Sequence, residues 1–126
     1  MNVKIDTKEK FSVVSPQDSN ITVNMAAELE DVLLKFQTQS IPHLIINMQA
    51  VKAMDNEVSQ MLANLQQSFY EKNLSCIVCC LNADVENKLE ELELLEFMNV
   101  TPTESEAWDI MHMEEVEREL LDDENF

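Results

Sequence analysis

The segment HLIINMQAVKAMDNEVSQMLANLQQSF, residues 43–69, decides the fold of this chain. Its first six residues form a short apolar run, which predicts a buried β-strand. Its second half predicts an amphipathic α-helix, because apolar residues recur at intervals of three and four. That stripe comprises Val58, Met61, Leu62, Leu65 and Phe69. A strand that leads into such a helix is the repeating unit of a parallel α/β sheet, whose strands are joined by crossover helices.

The same alternation continues on both sides of this segment. Strands are predicted at residues 3–5, 11–14, 21–23, 43–48, 74–81 and 97–100, the first two as a hairpin. Helices are predicted to begin at Asn24, Asp55, Asn82 and Thr103, the last through a Thr-x-x-Glu capping box. The last helix is expected to bury Ala107, Ile110, Met111, Val116 and Leu120. The predicted fold class is therefore α/β, a small mixed β-sheet with about four α-helices.

The length and charge of the chain limit its organisation and its partners. A length of 126 residues fits one domain, which we assign to residues 1–121, followed by an acidic tail at residues 122–126. The formal net charge is −17, and residues 82–126 carry sixteen acids against two bases. This charge argues against nucleic acids and anionic membranes, which need a basic surface. The acids form either a solvated face or a surface for a basic protein. The polar N-terminus and the lack of a long apolar run predict a cytoplasmic protein.

The composition also limits the chemistry. The chain contains no glycine, which excludes glycine-rich phosphate-binding loops and leaves left-handed turn positions to asparagine or aspartate. The candidates for such turns are Asn20, Asn73, Asn82 and Asn99. Cys76 and Cys79 have CxxC spacing within a predicted buried strand, where residues three apart face opposite sides. We therefore predict core cysteines, with no metal site and no cofactor.

Groups suited to catalysis are few. Histidine occurs only at positions 43 and 112, and no glycine-flanked serine elbow of a hydrolase is present. A carboxylate-based hydrolase or metal enzyme that uses Asp55 and Glu57 is an alternative, but the spacing suggests no third metal ligand. Aromatic residues that could line a pocket and raise the pKa of a carboxyl group are scarce. The prediction is a protein without catalytic activity.

The candidate functional site is the stretch Asp55-Asn56-Glu57-Val58-Ser59, because it places polar residues at the start of a helix. A helix N-terminus has unpaired N–H groups and about half a positive charge, so it suits an anion. In this chain, carboxylates already occupy the position. From physical chemistry alone they are a helix cap with an acid in the first turn, and such a cap contributes about 0.5–2 kcal/mol.

The apolar strand, the candidate site and the helix that carries Met61, Leu62 and Leu65 together resemble the STAS domain of bacterial anti-sigma factor antagonists. The order of elements over about residues 3–118 is similar as well. The family signature is Asp-Ser-Ser-Gly or a close variant, in which a partner anti-sigma kinase phosphorylates one hydroxyl and thereby abolishes binding. The four signature positions correspond to Asp55, Asn56, Glu57 and Val58, so only the aspartate is retained and Glu57 replaces the phospho-acceptor.

The resemblance implies a non-enzymatic regulator in transcriptional signalling that binds an anti-sigma factor or a serine-kinase-type regulator, and it allows a homodimer. Its binding surface would be residues 53–59, bordered by residues 15–18 and 82–84. With Glu57 at the acceptor position, the domain is either a constitutive binder or a counterpart of the phosphorylated, partner-released form. Ser59 becomes an acceptor only if the register shifts, since it lies about 200° further round the helix. The alternative within the family is an accessory subunit on the ATPase of an ABC transporter.

Overall fold

Strands and helices alternate along the chain in the order that the sequence predicts. The computed structural model describes the backbone of residues 1–124 and the side chains of residues 1–121. The strands are β1 Val3–Thr7, β2 Ser12–Pro16, β3 Asn20–Ile21, β4 Leu44–Asn47, β5 Ala53–Met54, β6 Cys76–Cys79 and β7 Val100–Thr101. The α-helices are α1 Val23–Leu34, α2 Asn56–Glu71, α3 Ala83–Glu91 and α4 Glu104–Glu124. Short 3₁₀ turns at Lys35–Thr38 and Leu95–Phe97 follow α1 and α3.

Five strands form one mixed sheet in the order β1-β2-β4-β6-β7. The hairpin of β1 and β2 is antiparallel, and the other neighbours in this sheet are parallel. The predicted α/β class and the predicted hairpin are therefore confirmed. A second, two-stranded sheet pairs β3 with β5 in parallel, and it replaces the strand predicted at residues 21–23. The sequence pattern does not predict β5, because a strand of two residues has no periodicity of its own.

The five-stranded sheet lies between two unequal layers of helices. Helices α1, α2 and α3 cover one face, where Leu62 is almost fully buried. Helix α4 alone covers the other face, through Met111. Along β6, Cys76 belongs to the first core cluster and Cys79 to the second, so the two thiols lie on opposite faces of the sheet. Both thiols are free and buried, and their opposite orientation follows from the alternation of side chains along a strand.

The starts of the helices are set by cap residues, and one of the predicted caps is wrong. Asp55 and Asn82 are the N-caps of α2 and α3, as predicted. Helix α1, however, begins at Val23, and its N-cap is Thr22, two residues before the predicted cap Asn24. The reason is tertiary: the carboxylate of Asp55 accepts a hydrogen bond from the Val23 N–H and so fixes the first residue of α1.

Helix α4 differs from the prediction in its second half. Ala107 and Met111 are buried, as expected, but the side chains of Val116 and Leu120 are exposed rather than part of the core. The helix continues past the edge of the sheet to Glu124, so the backbone of residues 122–124 in the predicted tail is helical, and residues 125–126 lie outside the described residues. None of the helices in the described part of the chain is long and apolar enough to span a membrane.

Three residues adopt the left-handed backbone conformation that glycine would normally occupy. They are Asn73, Cys80 and Glu93, with φ between 59° and 63°. The prediction is confirmed for Asn73, whereas the other asparagine candidates have negative φ. Cys80 and Glu93 have no side-chain amide that could stabilise the left-handed conformation. A non-glycine residue in this conformation costs about 1–2 kcal/mol. The absence of glycine therefore leaves two strained turns, at the ends of β6 and α3.

Candidate functional site

The starts of three helices converge at the segment that joins β4 to α2. Pairing of β3 with β5 places the end of one strand beside the end of the other, and the Asp55 N–H donates to the Ile21 carbonyl at 3.0 Å. The start of α3 is attached by the Asn82 side-chain amide, which donates to the carbonyls of Gln49 and Val51. The positive ends of α1, α2 and α3 therefore lie close together around residues 53–59, which we call the junction.

Asp55 connects two of these helices. Its carboxylate oxygen Oδ2 accepts a hydrogen bond from the Val23 N–H at 2.7 Å, so the side chain caps α1 and makes no side-chain cap bond to α2. Its backbone carbonyl, in contrast, accepts the Ser59 N–H at 3.1 Å and begins the hydrogen-bond ladder of α2. Asp55 is therefore a structural bridge between α1 and α2.

The five predicted site residues comprise an exposed pair, a buried pair and Asp55, whose exposure is intermediate. Asn56 and Glu57 are exposed, whereas Val58 and Ser59 are fully buried under the first turn of α2. The Ser59 hydroxyl donates to the Asp55 carbonyl at 3.2 Å. A kinase could reach that hydroxyl only after the first turn of α2 opened. The accessible part of the junction is consequently narrower than the sequence suggested.

The electrostatics of the exposed pair are those of an anion at a helix start. Glu57 is the acid in the first turn of α2, and no hydrogen bond or ion pair to its carboxylate is found among residues 1–121. Its neighbour Asn56 accepts a hydrogen bond from the Lys88 ammonium at 3.2 Å, which links α2 to α3. Val23, at the start of α1, adds an apolar side chain that is 49% exposed. The surface thus combines one unpartnered negative charge with a small apolar patch.

The two predicted borders of the junction, residues 15–18 and 82–84, lie at different distances from it. Asn82 contacts the junction directly, through the carbonyl of Val51. Ser15 and Gln17, from the other predicted border, line a groove together with Lys52 at the edge of the junction. The contact that the sequence could not reveal is the Asn56–Lys88 bond, because it joins residues 32 positions apart.

Residues suited to catalysis are not assembled at the junction. His43 lies at the other end of β4, where its Nδ1 accepts the Ser75 N–H at 3.1 Å. Burial and the nearby Arg118 guanidinium lower the pKa of His43 below its usual value of 6.5, so its 3.7 Å contact with Glu115 is not an ion pair at neutral pH. In the part of the chain that the structure describes, no group of three His, Cys, Asp or Glu residues is arranged to hold a metal ion.

A cavity of about 650 Å³ lies beside the middle of α2 and away from its start. Its lining is rich in side-chain amides, among them Gln60, Asn64 and Gln67, and Phe97 stands at its rim. Below it, the buried Gln66 donates to the carbonyls of Cys76 and Asn99. Gln66 therefore holds α2 to the sheet, whereas the amide of Gln60 donates to Asn64 within the helix.

Comparison with known proteins points to one family. The family model of the STAS domain matches residues 2–107. No curated protein matches the sequence at a significant level. Solved structures do match: an anti-sigma-factor antagonist (STAS) domain protein from Planctomyces limnophilus aligns with 87% of this chain and 97% of its own, at 14% identity and a TM-score of 0.75. An anti-sigma factor antagonist from Mycobacterium paratuberculosis aligns with 88% of this chain and 93% of its own, at 22% identity and a TM-score of 0.74.

A third similar structure is a serine-to-glutamate variant of RsbS from Moorella thermoacetica. It aligns with 89% of this chain and 96% of its own, at 17% identity and a TM-score of 0.74. At such identities the structural likenesses establish the fold alone.

Proposed function

The chain belongs to the STAS domain family, and from that premise we propose that it is a non-enzymatic regulatory domain that binds a protein partner through the junction. The proposed partner is an anti-sigma factor or a related serine-kinase-type regulator. One observation carries the proposal: Asn56 and Glu57 are exposed at the start of α2. The resemblance to the family places the hydroxyl residues of its signature at these two positions.

The replacement of a hydroxyl residue by Glu57 changes the kind of regulation. A phosphoserine carries about −1.5 to −2 charges and is reversible, whereas a glutamate carries one permanent charge and no acceptor hydroxyl. Because this charge lies in the first turn of α2, the helix dipole stabilises it by about 0.3–1 kcal/mol. The binding state of the junction is therefore fixed rather than switched by phosphorylation at position 57. A relative that is a serine-to-glutamate variant shows that the fold accepts a designed glutamate.

Affinity purification with matched variants tests this proposal. The tagged protein is compared with Glu57→Ala, with Glu57→Ser, and with Glu71→Ala, which removes an exposed acid from the far end of the same helix. We expect both substitutions at position 57 to change the recovery of the partner at least threefold, and Glu71→Ala to leave it unchanged. We also expect Glu57→Ser, but not the wild type, to be phosphorylated at position 57 when a partner kinase and ATP are present.

The outcomes separate the proposal from its alternatives. Recovery of an anti-sigma factor or a serine-kinase-type regulator supports the proposed partner class. Recovery of an ABC transporter ATPase replaces that class with the transporter alternative. If both variants at position 57 retain the partner as well as Glu71→Ala does, the junction is not the binding surface.

A further inference from the structure

A second exposed surface, the α4 stripe, lies on the outer side of α4. It consists of Met113, Val116 and Leu120, whose side chains are 52–61% exposed. Single exposed apolar residues are normal on a protein surface. Three of them within eight residues of one helix form a contiguous apolar stripe, and such stripes mark interaction surfaces.

The geometry of α4 gives this helix two apolar faces. Met113, Val116 and Leu120 follow the spacing i, i+3, i+7, which places them on one side of a helix. Ala107 and Met111 lie on the opposite side and are buried against the sheet. The buried face therefore fixes the orientation of α4, and the stripe is left pointing away from the core.

The stripe is far from the junction in the fold. The start of α4 lies near the end of β4, where the Asn47 amide donates to Glu104 at 3.0 Å. Its second half reaches the opposite ends of the strands, where Arg118 donates to the Ser75 hydroxyl just before β6. Helix α4 also covers the face that α2 does not. A partner at the junction would thus leave the α4 stripe accessible.

The acidic residues around the stripe indicate which kind of molecule could bind there. Glu117 and Glu119 are exposed on its two flanks, and Asp109 is exposed at its N-terminal end. Residues 104–121 carry seven acids against one basic residue, Arg118, which is already bound to Glu115 and Ser75. A second copy of this chain would place acids against acids, and an anionic membrane would be repelled as well.

We propose that the α4 stripe is a docking face for a basic amphipathic helix of a protein partner. The apolar side chains of that helix pack against Met113, Val116 and Leu120, as in other helix-on-helix recognition. Its lysine or arginine residues lie opposite Glu117 and Glu119. Burial of the stripe supplies affinity, and the flanking charges supply orientation and a fast, salt-dependent association. This surface is independent of the proposed function of the junction.

A designed peptide is the probe for this surface. It is a 21-residue helix with leucine at the spacing of the stripe and lysine on both flanks, labelled for fluorescence anisotropy in 150 mM salt. We expect the triple variant Met113→Ser/Val116→Ser/Leu120→Ser to bind it at least tenfold more weakly than the wild type. The double variant Glu117→Gln/Glu119→Gln should bind it severalfold more weakly and with a smaller dependence on salt.

Two controls make the result specific to the stripe. Ile5→Ser/Phe97→Ser removes exposed apolar residues outside α4 and should leave peptide affinity unchanged. A peptide with glutamate in place of lysine should not bind. Circular dichroism shows whether each variant keeps its helical content. Equal affinity of the peptide for the triple variant and the wild type would overturn the proposal. So would a dimer of the free protein, seen by sedimentation, that the triple variant abolishes, because the occupant would then be a second copy.

Discussion

Substitution of Asp55 tests the bridge between the starts of α1 and α2. In Asp55→Ala the carboxylate that accepts the Val23 N–H at 2.7 Å is lost, and this N–H at the start of α1 loses its acceptor. A hydrogen bond to a charged group contributes about 1.5–3 kcal/mol. Val23 is 49% exposed, so water replaces part of the bond, and the lower half of that range applies. We expect a loss of about 1.5–2 kcal/mol in the free energy of unfolding.

No additional loss is expected from α2, because the Asp55 side chain makes no cap bond to its own helix. Asp55→Asn retains an acceptor oxygen without the charge and should lose about half as much, since a neutral hydrogen bond contributes about 1 kcal/mol. For a chain of this length, 1.5–2 kcal/mol corresponds to a decrease in Tm of about 5–10 °C.

Urea unfolding followed by circular dichroism measures these differences, with Asn56→Ala as the control at the neighbouring exposed position. The amide proton of Val23 should also exchange faster in Asp55→Ala, because its acceptor is gone. If Asp55→Ala costs no more than Asn56→Ala, below about 0.5 kcal/mol, the hydrogen bond does not hold the two helices together.

Three further predictions follow from single residues. Burial lowers the pKa of the His43 imidazole below 6.5, and its Nδ1 must stay unprotonated to accept the Ser75 N–H. Just below pH 6.5 the unfolded state therefore binds more protons than the folded state. The free energy of unfolding should therefore fall as the pH decreases from 6.5, and His43→Asn, whose amide oxygen can replace Nδ1, should flatten that decrease. Burial raises the pKa of the Cys76 thiol, so a thiol reagent at pH 7.5 should modify the half-buried Cys80 first, and Cys80→Ser should abolish this fast reaction. Glu93→Gly, at φ 59°, should raise the free energy of unfolding by about 1 kcal/mol in urea.

Each of these predictions has a clear contrary result. An NMR titration that places the pKa of the His43 imidazole at or above 6.5 would contradict the buried, neutral histidine. Rapid labelling of Cys76 in the folded protein would contradict its burial. A Glu93→Gly variant no more stable than the wild type would show that the left-handed turn is not strained.

Elements with a strong pattern could be predicted from the sequence. The apolar run before Asn47 and the stripe that begins at Val58 predicted β4 and α2, because each buries a whole face. The opposite orientation of Cys76 and Cys79 followed from the two-residue period of a strand. The order of strands and helices then follows from the rule that parallel strands need crossover helices.

Features that depend on distant contacts could not be predicted. The start of α1 depends on Asp55, which is 32 residues beyond Val23 in the chain. The sequence pattern predicts that Val116 and Leu120 are buried, which is wrong. Apolar residues on both faces of a helix give one continuous pattern, whichever face packs against the core. At the candidate site, the sequence pointed to residues 55–59 but could not show which of these five side chains are exposed, namely Asn56 and Glu57.

Site-specific photo-crosslinking at the junction tests most directly whether it is a protein-binding surface. A photoreactive benzoylphenylalanine replaces Asn56, which is exposed in the first turn of α2, and a control variant carries it at Glu71, which is exposed at the far end. After illumination in a lysate of the host cell, mass spectrometry identifies the adducts. We expect a covalent adduct with an anti-sigma factor or serine-kinase-type regulator from position 56 and not from position 71. Adducts that are the same from both positions, or none from position 56, would contradict a binding site at the start of α2.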